Sequence, residues 1–314
     1  MVYVLATDSS RINGELITAA RALGEVTAVV VGSLPADATD ALASQGATTI
    51  IRAPFTGQRV IIPAVDALSI LASQTPGPIV ISKSEEGNEI AGRLAARLSS
   101  GVLTDVVGIN PDGTARGSIF GDKIGTTLAV GGTSPIYTLR AGVIEPQNQP
   151  AAGTLMDLAL PEAGALDPTV ESYTPHTPGA RPALPQADVV VSGGRGVGSA
   201  EGFTELVEPL ADLFGGAVGA TRDAVDDDFY PAEYQVGQTG ATVSPELYIA
   251  LGLSGAIQHT SGMQTSKRIV VINQDEDAPI FQIADVGVVG DVNDIVPALI
   301  KEISDRREAK GLNS

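Results

Sequence analysis

The sequence contains no cysteine, only two histidines (His176 and His259), and 19 basic residues against 37 acidic ones. Without thiols there can be no disulfides, no thiolate catalysis and no cysteine-ligated zinc or iron–sulfur cluster. Two histidines cannot build a multi-histidine metal site, and a Ser-His-Asp triad would have to recruit one of them. Any redox chemistry must therefore be carried by a bound cofactor. The net charge of −18 leaves no basic stripe to neutralise nucleic-acid phosphates or to hold an anionic membrane surface. No apolar run approaches the ~20 residues needed to span a bilayer. The opening MVYVLATDSS has no basic stretch followed by a long apolar one, which leads to the expectation of a cytoplasmic protein.

What is present is ordinary for a globular chain: 43% apolar and 18% charged residues over 314 positions, enough for about two domains. Residues 1–145 alternate short apolar runs (VYVLAT, TAVVVG, TTIIRA, PIVISK) with helical patterns at 15–23, 36–44, 61–72 and 86–98. Continuous apolar strands alternating with helices predict βαβ units around a parallel sheet buried on both faces. Past Gly101, short strands separated by Gly and Asp-Gly turns predict an antiparallel addition near 102–140. Residues 146–186 are proline-rich, and proline fixes φ and removes a backbone donor. This stretch reads as an extended connector, with His176 as a linker histidine. From 187 to 314 a second α/β pattern begins, with apolar runs ADVVVSGGRG, GAVGATR, LYIALGLSGA, RIVVIN and GVVGD and a closing helix at 296–307. The expected fold is therefore two doubly wound α/β domains.

In open parallel sheets ligands bind beyond the carboxyl ends of the strands. The polar residues directly after the second-domain runs are Arg195, Arg222, Ser254, Asn273 and Asp291, and together they indicate one ligand crevice. Charge sharpens this reading. Residues 187–314 hold 20 acids and 8 bases, and up to residue 300 the only cations are Arg195, Arg222, Lys267 and Arg268. An arginine placed at a glycine-rich strand end in so acidic a segment suits an anionic or planar ligand. The turn GGRGVG at 193–198 follows a strand and precedes a helix, a suitable setting for backbone amides around phosphate. Its spacing is not G-x-G-x-x-G, so it supports a dinucleotide fingerprint only weakly. In GLSGAIQH (252–259), small residues let the backbone approach a ligand and Ser254 is expected to cap the next helix. His259 would then stand at a positive helix end, which lowers its pKa. Gln238 and Thr239 suit a loop offering hydrogen bonds to a heteroaromatic ring. The acidic run 226–228 reads as a helix end or solvated turn rather than a metal site.

The stretch from VGQTG through SPELYIALGLSGAIQHTSGMQTSKRIVVINQDEDAPIFQIADVGVVGD resembles the C-terminal FAD-binding domain of the electron transfer flavoprotein alpha subunit. GGRG and GATR match in order and context, and EIAGRLAARLSSGVLTDVVGI carries a weaker similarity through the N-terminal half. The resemblance implies a Rossmann-like FAD domain at 187–314. It also implies a heterodimer with a beta subunit that holds AMP, flavin dehydrogenases as electron donors and a quinone oxidoreductase as acceptor. It places Arg195 near the FAD phosphate or ribityl region, and Thr221 and Arg222 at the flavin. Val236, Gly237, Gln238 and Thr239 would form the loop at the ring edge. Ser254, Gly255, Ala256, Ile257, Gln258 and His259 would surround the pyrophosphate and ring, with His259 near the C2 carbonyl. Asn273 and Asp291 would lie on the adenosine side, with Val292 as a backbone contact. A reduced flavin carries negative charge on its N1–C2=O edge, which a donor or cation at His259 and Arg222 would stabilise. No catalytic base, nucleophile or metal site is implied. The turn at 121–123 (GDK) departs from the glycine-rich turn of that family. The other reading is an NAD-dependent oxidoreductase of related α/β fold, against which the missing fingerprint and ribose-binding acid count.

Overall fold

The computed structural model describes residues 1–33, 37–55, 59–119, 124–165, 167–172 and 181–309. His176 and the turn at 121–123 lie outside them. The chain divides into two compact units, Met1–Pro175 and His176–Ser314.

The first unit runs β1 (Val2–Leu5), α1 (Ser10–Ala20), β2 (Val26–Val31), α2 (Ala38–Gln45), β3 (Ala47–Ala53), α3 (Ile62–Gln74), β4 (Ile79–Ser82) and α4 (Glu85–Leu98). Then come β5 (Val102–Ile109), β6 (Ala115–Ile119), β7 (Ile124–Leu128), β8 (Ile136–Leu139) and β9 (Thr154–Asp157). Among the described residues they form one sheet in the order β7-β6-β5-β8-β4-β1-β2-β3-β9. The pairs β1·β2, β1·β4, β2·β3 and β4·β8 are parallel, and β5·β6 and β6·β7 antiparallel. The period-2 rule explains why apolar runs appear here without alternation. Val2 and Val4 enter the core on one face, Tyr3 and Leu5 the core on the other. Helix α4 shows the local logic. Ser84 accepts from the Gly87 amide, Glu85 and Glu86 occupy the first turn, Arg97 the last, and Ile90, Ala91 and Leu94 are buried. Each of these choices favours a helix over the same span.

The proline-rich stretch is not wholly irregular. Its proline-free run TLMD (154–157) is β9, paired in parallel with β3 at the sheet edge, with Arg52 and Asp157 2.8 Å apart across the pair. Pro150 and Pro161 fall outside the strand, where they interrupt no ladder hydrogen bond. Arg59, 9% exposed, donates to Asp66 and Asp167, each at 2.9 Å, and to the Pro161 carbonyl at 2.9 Å.

Glu15 is 2% exposed. It accepts from the Gly142 amide at 2.7 Å and lies 3.5 Å from Arg11. Burial pushes its carboxyl above the ordinary glutamate range, outweighing the Gly142 and Arg11 contacts. A raised folded pKa means that the stabilising contribution is complete below the unfolded value and is lost as pH rises through the folded one. Glu15→Gln keeps an acceptor for Gly142 without a buried charge. Its denaturation midpoint should exceed wild type at pH 7, and the gain should disappear as pH is lowered through the glutamate range. A gain that persists at low pH would show that the charge is not its cause.

The second unit runs β10 (Val189–Gly193), α5 (Ala200–Gly202), a π-helical turn (Phe203–Val207), α6 (Glu208–Leu213), β11 (Ala217–Ala220), α7 (Arg222–Asp226), β12 (Leu247–Leu251), α8 (Ile257–Thr260), β13 (Ile269–Asn273), β14 (Val286–Val289) and α9 (Val292–Ala309). Its sheet is all parallel, in the order β11-β10-β12-β13-β14. The helices α6, α7 and α9 contribute to the core on one face. On the other, Val236, Val243, Met263 and Ile280 come from loops and short turns and pack with Tyr248 and Ala250. Asp226 ends α7, Asp227 caps it and Asp228 has φ +58°, so the acidic run is a helix end.

Candidate functional site

Strand order reverses between β10 and β12, because the chain goes from β10 outward to β11 and then returns to the far side. Two turns leaving adjacent strand ends in opposite directions open a crevice at that point. A cavity of about 500 Å³ occupies it, lined by residues following β10, β11, β12 and β13. That volume falls within the range typical of small-molecule sites.

The glycines at its floor have a packing reason. A Cβ on Gly196 would stand 2.7 Å from the Gly252 Cα, and one on Gly194 2.6 Å from the Gly252 carbonyl. Gly252 itself has φ +57°. The two turns are thus laced backbone to backbone, Gly196 donating to the Gly252 carbonyl at 2.8 Å and Gly194 to the Leu251 carbonyl at 2.9 Å. Side chains at these positions would separate the turns that make the floor.

The cations stand at the rim. Arg195 lies 3.4 Å from Asp223 and Arg222 3.3 Å from Asp226, all four side chains more than half exposed. Such pairs are worth little in water and exchange readily for a ligand anion. Thr221 accepts from the Ala224 amide and caps α7. Gln235 donates to Thr239 at 2.8 Å. Buried Asn273 donates to the Leu253 carbonyl at 2.8 Å and accepts from the Asp275 amide, so it shapes the turn after β12. Among the described residues, the backbone N–H groups of 254–258 find no protein acceptor. A run of unpaired amides beside two exposed arginines is a donor set suited to a phosphate-bearing ligand.

The structure brings Arg195, Thr221, Arg222, Val236, Thr239, Ser254, Gly255, Ala256, Gln258, His259 and Asn273 to this one cavity. Gly237, Gln238 and Ile257 flank it without lining it. Asp291 and Val292 do not line it: Asp291 accepts from the Asn293 amide at 2.8 Å at the start of α9, and Val292 is buried in the core that α6, α7 and α9 share. Gln235, Asp223, Gln274 and Asp275 also line the cavity and went unread in the sequence. Gln274 and Asp275 directly follow Asn273, which is the signal that could have found them.

Two local expectations are corrected. Ser254 does not cap a helix: α8 begins at Ile257 behind Ala256, with no side-chain cap, because Gly255 at φ +78° turns the chain first. His259 is not governed by a helix end either. It is 5% exposed, and burial holds its pKa down to about 4 against the opposing hydrogen bond from its ring to the Val236 carbonyl. Its Nδ1 lies 3.0 Å from the Val236 oxygen and its Nε2 2.8 Å from the Tyr248 hydroxyl. Both nitrogens are spent within the protein, so the expected cation or free donor at this position is absent.

Fold and cavity define a two-unit α/β protein whose second unit is a Rossmann-like ligand domain. A profile described as the electron transfer flavoprotein FAD-binding domain matches residues 183–264, and one described as the electron transfer flavoprotein domain matches residues 4–163. The chain is 49% identical over 302 residues to the electron transfer flavoprotein subunit alpha of Mycobacterium tuberculosis (strain ATCC 25618 / H37Rv), and 47% identical over 302 residues to that of Mycobacterium leprae (strain TN). Both alignments cover 95% of each chain. It is 38% identical to the subunit alpha of Paracoccus denitrificans over 90% of this chain and 92% of the relative. The chain belongs to the electron transfer flavoprotein alpha-subunit family and carries that family's FAD-binding domain. Among the described residues, no helix is long and apolar enough to cross a membrane.

Proposed function

We propose that this chain is the FAD-holding alpha subunit of a heterodimeric electron transfer flavoprotein. It would work in the cytoplasm beside a beta subunit that binds AMP. It takes electrons from flavin dehydrogenases, such as those of fatty acid beta-oxidation, and passes them to a quinone oxidoreductase. It is a carrier, not an enzyme with its own substrate. The observation that supports this best is the cavity at the strand-order reversal of a unit matched by the family's FAD-binding domain, with amide donors and two arginines at one place.

The residues fit the group. Arg195 and the amides of 254–258 offer donors for the pyrophosphate. Thr221, Arg222 and the loop with Val236, Gly237, Gln238 and Thr239 take the flavin, with His259 as the wall behind it. Asn273 serves the adenosine side, with Gln274 and Asp275 beside it. Asp291 and the Val292 backbone belong to the proposal as adenosine contacts, although the cavity does not reach them. When bound, FAD supplies the redox capacity that a chain without cysteine lacks. The chain's part is to bind it, to set a cation at Arg222 against flavin negative charge, and to keep an uncharged, buried imidazole at the wall.

The test is colour and mass. The chain co-expressed with a beta-subunit candidate should purify as a yellow one-to-one complex whose released flavin is FAD. A colourless complex that takes up no added FAD would sink this reading.

A further inference from the structure

The hydrogen bonds at His259 have a defined direction. Val236 offers a carbonyl, which only accepts, so His259 Nδ1 must carry the proton across the 3.0 Å contact. A neutral imidazole has one N–H, so Nε2 is a bare acceptor, and the Tyr248 hydroxyl 2.8 Å away must donate to it. The ring is 5% exposed and Tyr248 0% exposed, so water does not compete with either bond. The result is a directed chain from Tyr248 in the middle of β12, through the imidazole, to the backbone of residue 236.

Its far end is the loop that borders the cavity. Val236 donates to the Ala220 carbonyl at the end of β11, and Gln238 donates to the Gln258 carbonyl at 2.7 Å. The loop lies so close to the turn around α8 that a Cβ on Gly262 would stand 2.5 Å from the Gly237 Cα, and one on Gly237 2.4 Å from the Gln258 oxygen. Gln235 and Thr239, bonded to each other, both line the cavity. If Nε2 carried the proton instead, the Tyr248 oxygen could accept from it, but the Val236 carbonyl would lose its donor and face the lone pair of a bare Nδ1.

We infer that Tyr248 is a positioning residue of the cofactor site: by donating to Nε2 it holds in place the imidazole whose Nδ1–H clasps Val236, and so sets the loop carrying Gln235 and Thr239 against the cavity. Tyr248 does not itself line the cavity. It acts through the imidazole, and a phenylalanine there would keep the packing and lose the instruction. The link to the cofactor rests on the FAD reading above; the tautomer and the loop position do not.

Two measurements decide it. First, nitrogen-15 spectra of the histidine rings are recorded on the full chain carrying His176→Gln, so that His259 alone contributes. At neutral pH they should show a protonated Nδ1 and an unprotonated Nε2. Tyr248→Phe in the same background should move the Nε2 resonance, whose hydrogen bond it removes, and shift the backbone amides of 235–239, without FAD present. A wild-type ring protonated at Nε2, or a Tyr248→Phe spectrum unchanged at the ring and the loop, overturns the inference. Second, FAD release is followed by the return of flavin fluorescence. Tyr248→Phe and His259→Asn, whose amide can still donate to Val236, should each speed release by about tenfold, the worth of one hydrogen bond. The double variant should be no faster than the faster single, because the residues act in series. Additive effects overturn the serial assignment. If no form takes up FAD, the functional proposal fails while the ring and loop spectra still decide the role of Tyr248.

Discussion

His259→Ala should destabilise the second unit by about 2–4 kcal/mol, an effect of core size rather than surface size. The resemblance, which puts His259 near the flavin C2 carbonyl, would instead make it a ligand-facing side chain removable with little effect on folding. In the structure the substitution takes the His259 acceptor from the fully buried Tyr248 hydroxyl, leaving it only the Ser192 hydroxyl as neighbour, and leaves the buried Val236 carbonyl without its donor. It also leaves a void against Tyr248. Chemical denaturation followed by circular dichroism should show the midpoint falling; an unchanged midpoint would mean that the imidazole is not part of the core. The pH dependence supplies an independent check. Burial lowers the folded pKa of His259 to about 4 from an ordinary value of 6.5. A depressed folded pKa contributes stability that is present above the unfolded value and lost as pH falls towards the folded one. The difference in stability between wild type and His259→Ala should therefore be widest at neutral pH and narrow between about pH 6.5 and 4.

That reversal shows what the sequence could and could not disclose. Strands β10 to β13 were legible because parallel strands buried on both faces read as unbroken apolar runs, and β14 reads the same way although its side chains are exposed at the sheet edge. Their carboxyl ends were legible for the same reason, since the first polar residue after each run marks the turn. Arg195, Arg222, Ser254 and Asn273 follow from that rule and do meet in one cavity. Asp291 obeys the same rule and does not, because β14 is the edge strand, farthest from the reversal, and its following residue serves α9 instead. Tyr248 was invisible because an aromatic inside LYIAL is indistinguishable from core until its hydroxyl finds a partner eleven residues on. Strand β9 was hidden by the prolines around it. The proline density is real, but four residues suffice for an edge strand.

Arg59 gives the second large effect. Its guanidinium is buried with Asp66, 7% of each side chain being exposed, and also reaches Asp167, 16% exposed. Removing one partner of a buried ion network costs more than the network contributes, because the remaining charges keep their desolvation penalty and lose their compensation. Arg59→Ala should lower the stability of the first unit by about 3–5 kcal/mol, towards the smaller figure because Arg97 still pairs with Asp66. Arg59→Met combined with Asp66→Leu should recover most of the loss, since Arg97 and Asp167 can both turn to water. A double variant as unstable as Arg59→Ala would place the cost in lost packing rather than in orphaned charge. The same guanidinium holds the segment after β9 through the Pro161 carbonyl and Asp167, next to a backbone bridge between residues 59 and 169. Protease cleavage within 158–172 should accordingly rise in Arg59→Ala, and also in Arg59→Met with Asp66→Leu, which restores the core without restoring the clasp. Cleavage that falls back to wild-type level in the double variant would show that the segment is held by the stability of the unit, not by Arg59 itself.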